Sequence, residues 1–187
     1  MKTIIRNSAK LALVTLCVLS SFRSFAQDKV TVTETKSYDQ GFRLGFGLSG
    51  GVPLNTKPYE WNLGVDARLQ YDLSTRYSLT FTTGFNNFFV NGKDNDLGYI
   101  PVKGGFKAFV LKDKLYLLAE VGGAFAVTNN YNKNSLLLSP GIGYANKYFD
   151  ASLRYEHYTD FPKLNSDGTT GKGLGMIALR LAYGFRL

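Results

Sequence analysis

The stretch WNLGVDARLQYDL, residues 61–73, puts Trp61, Leu63, Val65, Ala67, Leu69 and Tyr71 at odd positions and Asn62, Gly64, Asp66, Arg68 and Gln70 at the even positions between them. In an extended strand successive side chains point to opposite sides, so the alternation gives one apolar face and one polar face. An apolar face turned inward describes a water-soluble sheet. The same face turned outward describes a protein whose solvent is lipid.

The two-residue period recurs along the chain. Phe42, Leu44, Phe46 and Leu48 alternate with Arg43, Gly45, Gly47 and Ser49, and Leu79, Phe81, Thr83 and Phe85 with Ser78, Thr80, Thr82 and Gly84. Ile100, Val102, Phe106, Ala108 and Val110 oppose Lys103, Gly105 and Lys107; Leu117, Ala119, Val121 and Phe125 oppose Tyr116, Glu120, Gly122 and Ala124. Leu136, Leu138, Ile142 and Tyr144 oppose Ser139, Gly141 and Gly143, and Phe149, Ala151, Leu153 and Tyr155 oppose Asp150, Ser152, Arg154 and Glu156. The last run sets Ile177, Leu179, Leu181, Tyr183, Phe185 and Leu187 against Ala178, Arg180, Ala182, Gly184 and Arg186. With residues 61–71 this predicts eight strands of about ten residues, enough to cross a bilayer at a tilt.

The connections alternate too. Residues 72–76, 112–114 and 146–148 read as tight turns, whereas GVPLNTKPYE, NNFFVNGKDNDLG, TNNYNKNS and TDFPKLNSDGTTGKG read as longer loops. Short periplasmic turns and longer extracellular loops are the habit of outer-membrane barrels. A soluble lipocalin-like barrel shares the alternation, but its even positions would face water, where glycine only weakens a strand. The observed mixture of glycine, small residues and opposite charges suits the confined interior of an eight-stranded barrel. Arg43, Arg68, Lys103, Lys107, Arg154, Arg180 and Arg186 would then point inward with Asp66, Glu120, Asp150 and Glu156, which predicts an internal salt-bridge network with leftover positive charge rather than a pore.

The first residues carry another signal. Lys2, Arg6 and Lys10 precede the apolar run LALVTLCVL, and Ser24-Phe25-Ala26 offers small residues where a signal peptidase reads. This predicts a signal peptide over 1–26, a periplasmic segment over 27–40 and a barrel domain over 41–187. Cys17, the sole cysteine, lies inside the leader and follows Leu16 rather than a small residue, so neither a lipoprotein signal nor a disulfide framework is expected. The leader holds four basic residues and no acidic one, so the formal +8 of the chain falls to +4, 18 basic against 14 acidic residues. No basic cluster remains to suggest a nucleic-acid partner.

Aromatics gather at both ends of the strands: Tyr71, Tyr77, Tyr148, Phe149 and Phe185 near the short turns, and Tyr59, Trp61, Phe88, Phe89, Tyr99, Tyr131, Tyr158 and Phe161 near the long loops. This predicts two interfacial girdles. From about Gly41 to Leu187 the chain resembles the outer-membrane β-barrel domain family of small porin-like proteins of Gram-negative bacteria. The closing strand LGMIALRLAYGFRL carries most of that resemblance, its Leu181, Tyr183, Phe185 and Leu187 being similar to the C-terminal signal read by the barrel-assembly machinery. Members usually end in an aromatic residue, and here the last ring is Phe185. The resemblance implies an all-β, eight-stranded antiparallel up-and-down transmembrane barrel in the outer membrane, a monomer in contact with lipid and lipopolysaccharide.

Chemistry is sparse. The single histidine, His157, shares the outward parity of Thr159, a spacing similar to the His-x-Ser pair of eight-stranded lipid A deacylases. A threonine replaces the serine, and residues 169–187 supply no Asp or Glu to orient the imidazole. NGKDNDLG lacks the remaining ligands of a calcium loop, so no metal or cofactor is expected. Lys57, Lys93, Lys133, Lys163 and Lys172 lie in or beside the long loops, where lipopolysaccharide phosphates would sit. A structural or adhesion-like surface role without catalysis is therefore expected, with a deacylase or a narrow passive channel as alternatives.

Overall fold

The computed structural model describes residues 40–54, 59–90, 96–111, 114–128, 134–164 and 169–187. The expected signal peptide and periplasmic segment, through residue 39, lie outside the described residues, as do Lys57, Lys93, Tyr131 and Lys133. Eight strands follow one another: β1 (Gly41–Pro53), β2 (Tyr59–Asp72), β3 (Tyr77–Val90), β4 (Leu97–Leu111), β5 (Leu115–Ala126), β6 (Ser135–Ala145), β7 (Phe149–Leu164) and β8 (Thr170–Arg186). Each pairs antiparallel with its chain neighbours, and β8 returns to β1, so the sheet closes into a barrel and leaves no edge strand. Leu48 at the seam faces Val65 on β2 and Leu181 on β8.

The alternation in the opening stretch resolves outward. Leu48, Val65, Val121, Ile142 and Leu181 are 67, 53, 52, 53 and 57% exposed, whereas Arg180 and Glu120 are 1 and 4% exposed. Apolar side chains form the outer wall all the way round and the charges line the inside. A continuous apolar exterior of this extent requires lipid around it.

Strands run from 11 to 17 residues, longer than the alternation alone indicates. The difference is largest at β7 and β8. Much of TDFPKLNSDGTTGKG is a hairpin rather than loop, with Pro162 opposite Lys172 and Leu164 opposite Thr170. A register shift between Tyr158 and Pro162 breaks the two-residue period there, which hides the strand from a parity reading. Pairing also lapses at two places, from Thr83↔Val102 to Asn86↔Tyr99 and from Leu138↔His157 to Gly141↔Arg154. These gaps hold Pro101 and Pro140, neither of which has an N–H to donate.

The short turns are built locally. Ser74 Oγ accepts from the backbone N–H groups of Arg76 and Tyr77 at 3.2 and 3.1 Å. Asn146 Oδ1 accepts from those of Tyr148 and Phe149 at 3.0 and 2.8 Å. Such side-chain oxygens stand in for a backbone acceptor in a tight reversal.

Candidate functional site: the charged lumen and its apolar plug

Inward side chains of every strand but β6 build the charged lumen. At the short-turn end Arg43 Nε lies 2.7 Å from Asp72 Oδ2, and Asp72 also accepts from Gln70 and from Ser78, at 2.6 and 2.7 Å. Deeper in, Asp150 accepts from Lys107 and, at 2.6 Å, from the Tyr116 hydroxyl, while the Lys107 ammonium sits 4.2 Å from the centre of the Tyr116 ring. Arg180 grips Asp66 with Nε at 2.9 and 2.8 Å from the two carboxylate oxygens and adds a contact through Nη2.

That last pair has a geometric cause. Arg180 on β8 and Asp66 on β2 flank β1 on either side, so their bond crosses the closure seam. It passes over Gly47, where an added Cβ would meet Arg180 Nε at 2.8 Å. The glycine leaves the room that the guanidinium fills. Tyr116 uses Gly143 in the same way, since a Cβ there would lie 2.3 Å from its ring.

Glu120 is the central node. Its Oε1 accepts from Arg68 Nη2 and from the Thr82 hydroxyl, both at 2.9 Å, and its Oε2 lies 3.3 Å from Lys103 Nζ and 3.5 Å from Arg154 Nη1. Lys103 and Arg154 are shared with Glu156 at 3.0 and 3.6 Å. Five buried cations, Arg68, Lys103, Lys107, Arg154 and Arg180, thus face four anions, Asp66, Glu120, Asp150 and Glu156. Charges withdrawn from water must be paired to be tolerated, and here each of the nine has an ion-pair partner.

The network ends in aromatic rings. Glu156 Oε2 accepts from the Tyr158 hydroxyl at 2.7 Å, and the Tyr158 and Tyr99 hydroxyls share a hydrogen bond of 2.6 Å. Tyr99 and Tyr158 then pack with Tyr59, Phe88 and Phe161, the ring centres 5.1 to 5.5 Å apart, against Leu97, Leu137 and Leu174. These residues form the buried apolar cluster and close the lumen at the long-loop end. This corrects the expectation of an outer girdle: Tyr59, Phe88, Tyr99, Tyr158 and Phe161 point inward. At that level Trp61 and Phe89 do face outward, stacked at 3.9 Å. Near the short turns Tyr77, Tyr148, Phe149 and Phe185 are exposed outward, as a girdle requires.

No protein-family model and no curated protein matches the chain. Among solved structures, the outer-membrane protein Ail of Yersinia pestis in a phospholipid nanodisc is 15% identical, covering 78% of this chain and 99% of its own at a TM-score of 0.48. A de novo designed transmembrane β-barrel is 16% identical over 76% of this chain and 94% of its own, TM-score 0.47. Neisserial surface protein A is 13% identical over 79% and 97%, TM-score 0.43. The fold is a closed, all-antiparallel barrel of eight strands.

Other residues singled out from the sequence take these places in the barrel. Arg186 is exposed at the short-turn rim rather than inside, its guanidinium close enough to Gly41 that a Cβ there would meet Nε at 2.8 Å. Leu181, Tyr183, Phe185 and Leu187 form an outward ridge on β8 and the C-terminus. Lys172 is exposed and 4.0 Å from Asp160, while the side chain of Lys163 lies outside the described residues. Asp96, in the stretch weighed as a calcium loop, accepts from Val90 N and Asn87 Nδ2, both at 3.1 Å, and so fastens the β3–β4 connection. His157 stacks at 6.3 Å on Tyr155 on the outer wall, with Leu138 and Gly175 as its strand partners, and neither offers a carboxylate. The Thr159 hydroxyl donates to Asp160 at 2.6 Å.

Asp72, Thr82 and the Tyr99–Tyr158 pair are absent from the sequence-derived network. Asp72, Thr82, Tyr99 and Tyr158 all have inward parity in their strands and were legible on that ground. Tyr59 and Phe161 were not, because each lies beyond a register shift, between Tyr59 and Trp61 in β2 and between Tyr158 and Pro162 in β7.

Proposed function

We propose that the protein is an integral outer-membrane barrel, exported through a cleaved leader, that serves as a structural or adhesion-like surface element and neither conducts solutes nor catalyses a reaction. The observation that supports this reading is the continuous path of side chains from Arg68 through Glu120, Arg154 and Glu156 to the Tyr99–Tyr158 plug, which fills that part of the interior. In planar bilayers the purified protein is expected to give no discrete conductance steps at high density, and regular unitary steps would contradict the reading.

The deacylase alternative is disfavoured by the surroundings of His157, whose strand partners carry no orienting acid and whose neighbouring hydroxyl is a threonine bonded to Asp160. Membranes bearing the protein should release no fatty acid from lipid A, with or without His157→Ala. The orientation we adopt puts the short turns and both barrel termini in the periplasm and the long loops outside. There Lys172, with Lys57, Lys93, Lys133 and Lys163, would meet lipopolysaccharide phosphates. The ridge of Leu181, Tyr183, Phe185 and Leu187 would be the part read during insertion, and the closed sheet is consistent with a monomer.

A further inference from the structure

The lumen is filled from Glu120 to the plug but not at its other end. Between the short turns lies a cavity of about 630 Å³, ringed by Ser74, Lys114 and Lys147 and floored by Arg68, Asp150 and Arg180. Its volume is within the range of small-molecule sites.

The charges around it are unequal. Its acids are already committed: Asp72 receives Arg43, Gln70 and Ser78, and Asp150 receives Lys107 and Tyr116. Of its cations, Arg43 and Arg180 are likewise held, by Asp72 and Asp66, but Arg68, Lys114 and Lys147 are not fully engaged. Arg68 spends Nε on Thr82 and Nη2 on Glu120, and its buried Nη1 has no hydrogen-bond partner among the described residues. A guanidinium nitrogen left unbonded out of water is costly, and an anion removes that cost. Lys114 and Lys147 are exposed and form no ion pair among the described residues, Lys147 only overhanging the Tyr148 ring at 5.2 Å. Ser74 Oγ accepts two backbone N–H groups, which leaves its hydroxyl proton to be given away.

We propose that this vestibule binds a phosphate-type oxyanion, held by the Arg68 guanidinium on its floor and by Lys114 and Lys147 from the rim. The ligand's oxygens accept hydrogen bonds and its charge offsets the excess of cations. The oxyanion is either free in solution or the headgroup of a phospholipid in the adjacent leaflet. Assigning this mouth to the periplasm rests on the orientation proposed above; binding itself does not, so failure of one leaves the other standing.

Inorganic phosphate titrated into the folded protein in neutral detergent, followed by calorimetry, tests it. One saturable site is expected, weakened by salt. The double variant Lys114→Gln/Lys147→Gln alters only exposed turn residues and should bind about five- to tenfold more weakly. Lys172→Gln, at the opposite end, should bind as the parent does. Absence of saturable binding, an unaffected double variant, or an equal loss in Lys172→Gln would each overturn the proposal. Repeating the titration in nanodiscs separates the two sources of ligand. Competition from phosphatidylglycerol discs but not from zwitterionic ones identifies the headgroup, and equal affinity in both identifies the free anion.

Discussion

At the scale of the residue, position relative to the barrel wall decides what a side chain is worth. Glu120 touches Arg68, Lys103 and Arg154, all buried, so removing its charge strands three cations at once. Glu120→Gln is expected to destabilise the folded barrel by about 3–5 kcal/mol, the usual cost of breaking a buried pair from one side. Urea unfolding of vesicle-inserted protein measures it. Arg43 and Asp72 make a shorter contact than any of Glu120's, yet the Arg43 side chain is 40% exposed. Arg43→Gln should therefore cost no more than about 1 kcal/mol in the same assay. Glycines divide the same way. Gly143→Ala drives a methyl into the Tyr116 ring and is expected to cost about 1–3 kcal/mol, whereas an added Cβ at outward-facing Gly104 meets nothing within 4 Å. Gly104→Ala should be neutral or stabilising by up to about 1 kcal/mol. If the two glycine variants shifted stability equally, the division of the sheet into a packed inner face and an open outer one would be wrong.

At the scale of the element, each strand carries the fold in its parity, and that is why so much of it was legible. Leu63 and Val65 alternate with Asp66 and Arg68 because one face meets lipid and the other meets the opposite wall, and the closed topology repeats that demand on every strand. Parity also held the key to Tyr99 and Phe88, which share the inward phase of Lys103 and Thr82 but were grouped by their nearness to loops instead. Two features lay beyond any such reading. Tyr59 and Phe161 are turned inward by register shifts, and a bulge leaves no mark in a period of two. The pairing of particular charges was equally hidden, since Arg180 finds Asp66 114 residues away only once β8 has closed onto β1. The outward face makes its own prediction. Val121→Arg, in the middle of β5, should destabilise by about 2–4 kcal/mol in bilayers, the cost of a charge near the membrane centre. A penalty near zero would mean that the middle of β5 does not lie against lipid.

At the scale of the molecule, the barrel is asymmetric along its axis: an apolar plug at the long-loop end, a dense charge network in the middle and an open, cation-rich vestibule at the short-turn end. The plug and network together account for the expected electrical silence, and the vestibule for the expected binding of phosphate. Both depend on the outer wall being solvated by lipid, and the protein contains its own reporter of that. Trp61 is the only tryptophan of the chain and stands on the outward face of β2, 41% exposed and stacked on Phe89. Its fluorescence in vesicles of bromine-labelled lipid is the most direct measurement. The structure predicts blue-shifted emission that brominated acyl chains quench strongly and aqueous iodide does not. Emission at the wavelength of a water-exposed indole, quenched by iodide and indifferent to brominated lipid, would contradict it.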